Sequence, residues 1–159
     1  MPIFHADRFY SVLYHPVFLS AFFSWFIAQL IKSIIEIFKK RSRSSKDILK
    51  TLLWTTGGMP SSHSALVTAL ATSIGFEEGI TSPLFIVTLF YGLLTVRDAL
   101  GVRRAAGSQA KIINQLTREL NQRFGIDFRP VKEIHGHTMA EVSVGILLGF
   151  FIALAFNSL

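Results

Sequence analysis

The sequence predicts an all-α fold: an integral membrane four-helix bundle with an additional amphipathic interfacial helix between the third and fourth spans. Three observations carry this expectation. Of the 159 residues, 50% are hydrophobic and 15 are phenylalanine, with a mean hydropathy of +0.46. The apolar residues fall into four blocks rather than being spread through the chain. Lysine and arginine cluster beside those blocks, as they do next to membrane spans. A soluble helical bundle is the alternative that the same blocks leave open.

The first block, "HPVFLSAFFSWFIAQLIKSIIEIF" (His15–Phe38), is long enough to cross a hydrocarbon core of about 30 Å. The others are "SALVTALATSIGF" (Ser64–Phe76), "SPLFIVTLFYGLLTV" (Ser82–Val96) and "EVSVGILLGFFIALAF" (Glu141–Phe156). Each is shorter than the roughly 20 residues of a full span. They reach that length only if their polar ends, Pro60–His63, Arg97–Gly101 and His137–Glu141, are counted as helix. The expected spans are therefore 16–38, 60–76, 82–100 and 137–157, in a single membrane domain covering 1–159, with those polar ends within the membrane or at its edge. There is no internal repeat.

The N-terminal "MPIFHADRFYSVLYH" lacks the layout of a cleavable signal peptide. With no cysteine, disulfides and thiolate metal sites are excluded. A net charge of +6 and a pI near 10.0 raise nucleic acid as a partner. The placement of the basic residues argues instead for membrane topology and against nucleic acid. "KKRSRSSKDILK" (Lys39–Lys50) holds six basic residues and one acidic, whereas "EEGITS" (Glu77–Ser82) has two glutamates and no basic residue. The Arg97–Glu133 connection is basic again. The positive-inside bias therefore puts both long connections in the cytoplasm and both termini outside, in the cell inner membrane. Within the second connection, Ala105–Phe124 places Ile112, Ile113, Leu116 and Leu120 at helical spacing. With Lys111, Arg118 and Arg123 beside them, this helix is expected to lie on the membrane surface.

This topology gathers the end of the first span, the start of the second, the end of the third and the start of the fourth on one side. Those places hold the unusual polar residues. Trp25, Gln29, Lys32 and Glu36 share a face of the first span, and Lys32 can pair with Glu36 at i,i+4. A lysine at that depth either faces a site in the bundle interior or snorkels to the interface. "GGMPSSHSA" opens the second span. Proline suits a first helical turn, and serine caps its orphan N–H groups, which accounts for Ser61 and in part for Ser62. Free N–H groups at a helix N-terminus also bind phosphate oxygens, and His63 one turn in can donate a proton to a leaving oxygen.

Arg97, Asp98, Arg103 and Arg104 stand in "TVRDALGVRRAAG". They either anchor topology or bring guanidinium forks to phosphate, with Asp98 restraining the arginines or joining a metal site. In "GHTMAEVSVG", His137 and Glu141 are four apart, on one helical face. A carboxylate bonded to one imidazole nitrogen fixes the tautomer and frees the other as nucleophile or base. His135 as the active member and a metal-binding pair are alternatives. Gly145 and Gly149 extend that row as a small-xxx-small surface for close helix approach.

"PSSHS" (Pro60–Ser64) resembles the Pro-Ser-Gly-His core of type 2 phosphatidic acid phosphatases, and "HTMAE" (His137–Glu141) resembles their His-xxx-Asp. "GGMPSSHSA", "DALGVRRAAG" and "GHTMAEVSVG", in that order, are similar to a small divergent branch related to acid phosphatases and vanadium-dependent haloperoxidases. The similarity spans roughly Pro16 to the C-terminus. It implies a helical bundle that removes phosphate from lipid phosphates through a phosphohistidine, with no cofactor and no metal. By this resemblance His137 is the nucleophile, Glu141 its orienter and His63 the proton donor, while Ser61 and Ser62 hold phosphate. The chain departs from the pattern in three places. Ser62 replaces the glycine, Lys32 and Lys39 give only a loose echo of Lys-x6-Arg-Pro, and Val131 and Lys132 stand where Ser-Arg is usual. Arg103 or Arg104 is then the candidate substitute for that arginine, with Lys32 as the other phosphate-binding cation.

The function expected is hydrolysis of a phosphate or pyrophosphate monoester on a lipid. The alternatives are a non-catalytic lipid-phosphate binder or carrier and a metal-dependent membrane hydrolase using His63, His137, Glu141 and Asp98. The partners expected are the lipid phosphate, membrane lipids and, because four short helices offer a thin core, a second copy in a homodimer. The topology has a direct check. Single cysteines replacing Ser44 and Ser82 should label from opposite sides of intact cells; labelling of Ser44→Cys from outside overturns the orientation.

Overall fold

The computed structural model describes residues 6–39, 58–125, 128–133 and 136–158. Among them every regular element is an α-helix. In chain order these are α1 (Ala6–Leu13), α2 (Pro16–Lys39), α3 (Ser62–Glu77), α4 (Pro83–Leu100), α5 (Val102–Phe124) and α6 (Met139–Ser158). Most of the basic Lys39–Lys50 connection lies outside the described residues, as does His135.

Local chemistry sets the boundaries. α2 and α4 begin on Pro16 and Pro83, whose missing N–H costs nothing at a first helical position. The Ser82 hydroxyl accepts the Phe85 N–H at 3.1 Å to cap α4. α4 runs into α5 with only Gly101 between them. α5 stops at Gly125, whose φ of +67° is the left-handed conformation that ends helices and that glycine adopts without strain.

Three stretches are long and apolar enough to cross a membrane: Pro16–Ile35, Pro83–Phe124 (its apolar part in α4) and Met139–Ser158. α3 has 16 residues, a rise of about 24 Å, and falls short of that length. The expectation that all three polar ends are helical is corrected here. Arg97–Leu100 is helix, but Pro60–Ser61 precedes α3 and His137–Thr138 precedes α6. The reason is capping: Ser61 and Thr138 spend their side chains on the first-turn N–H groups, so the helices start after them. α1 is an element the apolar blocks did not predict.

The short helix α3 is the centre of the molecule, packed on α6, α2 and α4. Its rungs fix the directions of its neighbours. Ser24 of α2 donates to the Ala65 carbonyl at 3.4 Å, and the Lys32 stem lies 3.5 Å from where a Cβ on Gly58 would be, so α2 and α3 are antiparallel. Gly75 lies against Phe85 and Gly92 against Val67, so α4 is also antiparallel to α3. α6, however, runs parallel to α3. A Cβ on Gly145 would strike the Ser61 carbonyl, one on Gly149 the Ala65 carbonyl, and Ser73 bonds Asn157, 84 residues on. All three pairs share that offset. The end of α2, start of α3, end of α4 and start of α6 thus lie on one side.

The interior is made of small residues. Ala28, Ala65, Ala69, Ala71 and Ala153 are buried, with Ser20, Ser24, Ser33, Ser64 and Ser73 among them, whereas Phe22, Phe90, Leu93, Leu94 and Phe151 are exposed. In lipid, large apolar side chains gain nothing by turning inward, and small residues let backbones meet.

This contact yields a stability prediction. Gly149→Ala forces a methyl onto the Ala65 carbonyl and should cost about 1–3 kcal/mol, as overpacking does. Gly92→Ala, whose Cβ would meet Val67 at an ordinary 3.7 Å, should keep or raise stability because alanine is the better helix former. Thermal unfolding in detergent micelles measures both; equal melting temperatures would show that the α3–α6 approach is not limiting.

Candidate active site

The first turn of α3 is the floor of the site. The Ser61 hydroxyl accepts the Ser64 N–H at 3.4 Å and the Ser64 hydroxyl at 3.0 Å. The Ser61 N–H donates to the Glu141 carbonyl at 2.9 Å. The N–H groups of Ser62 and His63 have no acceptor among the described residues. Two backbone donors are thus open at the positive end of a helix dipole, an arrangement suited to an anion. Ser61 and Ser62 are buried, and the His63 side chain is exposed.

His137 arrives on the segment that leads into α6. The Gly136–Thr138 strap lies on the junction of α4 and α5, where the His137 N–H donates to the Ala99 carbonyl at 3.1 Å. A Cβ on Gly136 would collide with the Arg104 backbone, so only glycine lets the strap sit this close. The imidazole is 6% exposed, and its Nδ1 lies 3.3 Å from Glu141 Oε2. The pair therefore meets as the spacing predicts, though not along a helix face, because His137 stands outside α6.

Glu141 also does something the spacing alone did not suggest. Its Oε2 accepts the Thr138 N–H at 2.9 Å, while the Thr138 hydroxyl accepts the Glu141 N–H at 3.3 Å. This reciprocal pair is a capping box, and Thr-x-x-Glu is its sequence signature. One carboxylate oxygen both closes the helix end and holds the imidazole.

The cations assemble around this pair. Lys32 is 2% exposed on the inner face of α2. The Glu36 side chain lies outside the described residues. Arg103 Nε bonds Asp98 Oδ2 at 2.8 Å, with both side chains about half exposed, so Asp98 restrains Arg103. His63 lies in the field of Arg103, Lys32, His137 and Asp98; His137 lies in that of Lys32, Glu141 and Arg103. Arg104 gives its backbone to Gly136 and has an exposed side chain. Among the described residues, no three His, Asp or Glu side chains are grouped to hold a metal ion.

Farther along α5, the buried Asn114 grips the returning chain. Its amide donates to the Val131 carbonyl at 2.8 Å and to Glu133 at 2.9 Å, and its oxygen accepts the Val131 N–H at 2.8 Å. Sequence reasoning missed Asn114, although an asparagine set among the isoleucines of an amphipathic helix was a visible signal.

Three helices long and apolar enough to cross a membrane, with the His137–Glu141 pair beside the first turn of α3, define a helical membrane protein. The chain belongs to the divergent PAP2 family, whose model matches residues 13–152. It is similar to the "Uncharacterized membrane protein YuiD" of Bacillus subtilis (strain 168), 40% identical over 148 residues, which are 86% of this chain and 90% of that protein. No solved structure matches the chain significantly.

The His137–Glu141 contact predicts a titration. Burial, with Lys32 and Arg103 adding to it, holds the imidazole below its ordinary 6.5, while the Glu141 hydrogen bond and charge oppose the shift. His137 should therefore be neutral at pH 7. Glu141→Gln removes the opposing charge, so the pKa should fall further. Histidine NMR in micelles reads both values, and a rise in the Glu141→Gln variant would contradict the geometry.

Proposed function

We propose that the protein is a membrane lipid-phosphate phosphatase that hydrolyses a phosphate or pyrophosphate monoester through a phosphohistidine on His137. The observation that carries this reading is the His137–Glu141 contact. A carboxylate on Nδ1 orients a neutral imidazole and leaves Nε2 as its nucleophilic atom. Family membership supports the same chemistry.

In the proposed reaction the phosphoryl group is held by the Ser62 and His63 N–H groups, the Ser61 and Ser62 hydroxyls, Lys32 and Arg103, with Asp98 steadying Arg103 and Arg104 available at the rim. Nε2 of His137 attacks phosphorus as the bond to the lipid oxygen breaks, and His63 gives that oxygen a proton. Water then attacks the phosphohistidine, His63 takes a proton back, and inorganic phosphate leaves. The open N–H groups and cations would neutralise charge on the transferring group.

The setting of this reaction is also proposed. The spans form a four-helix bundle with the site at the cytoplasmic side of the inner membrane and both termini outside. α5 lies on the membrane surface, with Ile112, Ile113 and Leu116 exposed toward it. A homodimer would cover part of the thin bundle.

One observation favours a second reading. The capping box gives Glu141 a structural reason to be there, so its contact with His137 does not by itself require turnover. A non-catalytic lipid-phosphate binder would use the same N–H groups and cations.

Incubation with a phosphorylated lipid separates the two. A phosphatase should carry an acid-labile, base-stable phosphate on the protein. His137→Ala should abolish turnover, and His63→Ala should slow it by about 10²–10⁴-fold, the range of general acid catalysis. Lys32→Met should weaken vanadate binding by about 1–3 kcal/mol, the scale of hydrogen bonds to charged groups. If His137→Ala releases phosphate as the parent does, the catalytic assignment is wrong.

A further inference from the structure

Among the described residues, Gln29 carries the buried side-chain polar atom that the bundle leaves without a hydrogen-bond partner. The residue is 6% exposed, and its Oε1 has no hydrogen-bond partner among the described residues. A buried carbonyl oxygen left without a donor costs about 1–3 kcal/mol, and a leucine would fill similar volume without that cost. Such an atom needs an account.

Its position supplies one. On α2, Gln29 lies between the rung at Ser24, which meets Ala65, and the rung at Lys32, which meets Gly58. It is five residues from Ser24, about 7.5 Å of rise, and so stands level with the Pro60–Ser62 turn at the floor of the site. The neighbouring hydroxyls are occupied elsewhere. Ser24 donates to the Ala21 and Ala65 carbonyls, and Ser33 to the Gln29 backbone carbonyl.

The other groups of the site are donors: the Ser62 and His63 N–H groups, the Lys32 ammonium and the Arg103 guanidinium. They match phosphate oxygens, which are acceptors. The Gln29 amide also has donors on Nε2, but the unanswered atom is Oε1, which needs a donor; an ionised phosphate offers none, so Oε1 suits a different part of the ligand. It lies about 4.5 Å along α2 from Lys32 on the side of the hydrocarbon interior. That is where the first carbons of a lipid would lie with its phosphate on the α3 N-terminus.

We propose that Gln29 is a specificity residue that accepts a hydrogen bond from a hydroxyl carried by the lipid close to its phosphate. The inference rests on the phosphate-binding reading above and extends it to a substrate class: phosphorylated lipids with a free hydroxyl near the phosphate, in preference to those in which that oxygen is acylated or alkylated.

The test uses two probes that differ at one oxygen: a monoacylglycerol 3-phosphate with its 2-hydroxyl free, and the same lipid 2-O-methylated. Affinities for the purified full chain in micelles are measured by calorimetry beside that for vanadate. The wild type should bind the free hydroxyl about tenfold more tightly, which is about 1.4 kcal/mol. Gln29→Leu should lose that preference, bind vanadate as the wild type does, and melt no lower. Equal affinity of the wild type for both lipids, with vanadate bound, overturns the Gln29 assignment alone and leaves the oxygen to a buried water. A preference that survives in Gln29→Leu overturns it too. If the wild type binds neither lipid nor vanadate, the phosphate reading fails and this inference with it. If Gln29→Leu does not fold, Gln29→Met takes its place in the same comparison, and a preference that survives in it overturns the assignment.

Discussion

The approach of α6 to the first turns of α3 is the contact on which the rest depends. Gly145 and Gly149 place the α6 backbone directly on the Ser61 and Ala65 carbonyls. That closeness lets the Ser61 N–H reach the Glu141 carbonyl at 2.9 Å. Once the bond is made, the start of α6 is pinned beside the start of α3. His137, two residues before α6, is then held near the open N–H groups of Ser62 and His63. A side chain at either glycine would push the two helix starts apart and carry the histidine with them. Two parallel helices, joined through α4 and α5, therefore present their positive ends to the same place.

The same constraint explains the composition of the interior. Backbones this close favour alanine and serine, so the interior of the bundle is mostly small and partly polar, with Val67, Ile74 and Val142 among its larger apolar residues, while phenylalanine and leucine face outward. Serine hydroxyls are tolerated there because they bond nearby acceptors, as Ser20 does to the Val17 carbonyl, Ser33 to the Gln29 carbonyl and Ser64 to the Ser61 hydroxyl. Stability comes from contact between backbones, with little help from bulk apolar burial. Lys32 and Gln29 can occupy such an interior because it is already lined with dipoles.

Helix content and helix order were legible because the apolar blocks and their Pro, Ser and Gly borders state them directly. Lys32, the serines, the His137–Glu141 pair and the glycine row were legible as well, since polar or small residues inside apolar blocks stand out. Other features depend on tertiary distance. Arg103 and Arg104 are adjacent and alike in sequence; only the fold puts the Asp98-bound Arg103 in the field of both histidines and turns the Arg104 backbone toward Gly136. Gln29 was visible on the face of Lys32, but its lack of a partner is a property of everything around it. α1 was hidden by a short, mixed segment in which no long apolar block announces a helix. The boundary error at His137 has a local cause: i,i+4 spacing was read as a helix face when the same four residues encode a capping box.

That boundary has a consequence for reactivity. A histidine within α6 would point along its own helical row and compete for space with the glycine contact. Standing before the cap, His137 belongs to an extended strap whose N–H is fixed by Ala99 and whose ring is fixed by Glu141. The carboxylate oxygen that holds the ring is the one that closes the helix. Its position is set by the backbone of α6, and α6 is set by α3. Orientation of the imidazole is thus tied to the floor of the site through a chain of short contacts, in which the Glu141 side chain, itself held by the Thr138 N–H, is the link to the ring. In a membrane, where backbone donors are satisfied everywhere except at helix ends, this is an economical way to bring an oriented imidazole and open N–H groups together. The geometry around His137 is built from the ends of helices because only there does the bilayer leave hydrogen-bonding capacity to spare.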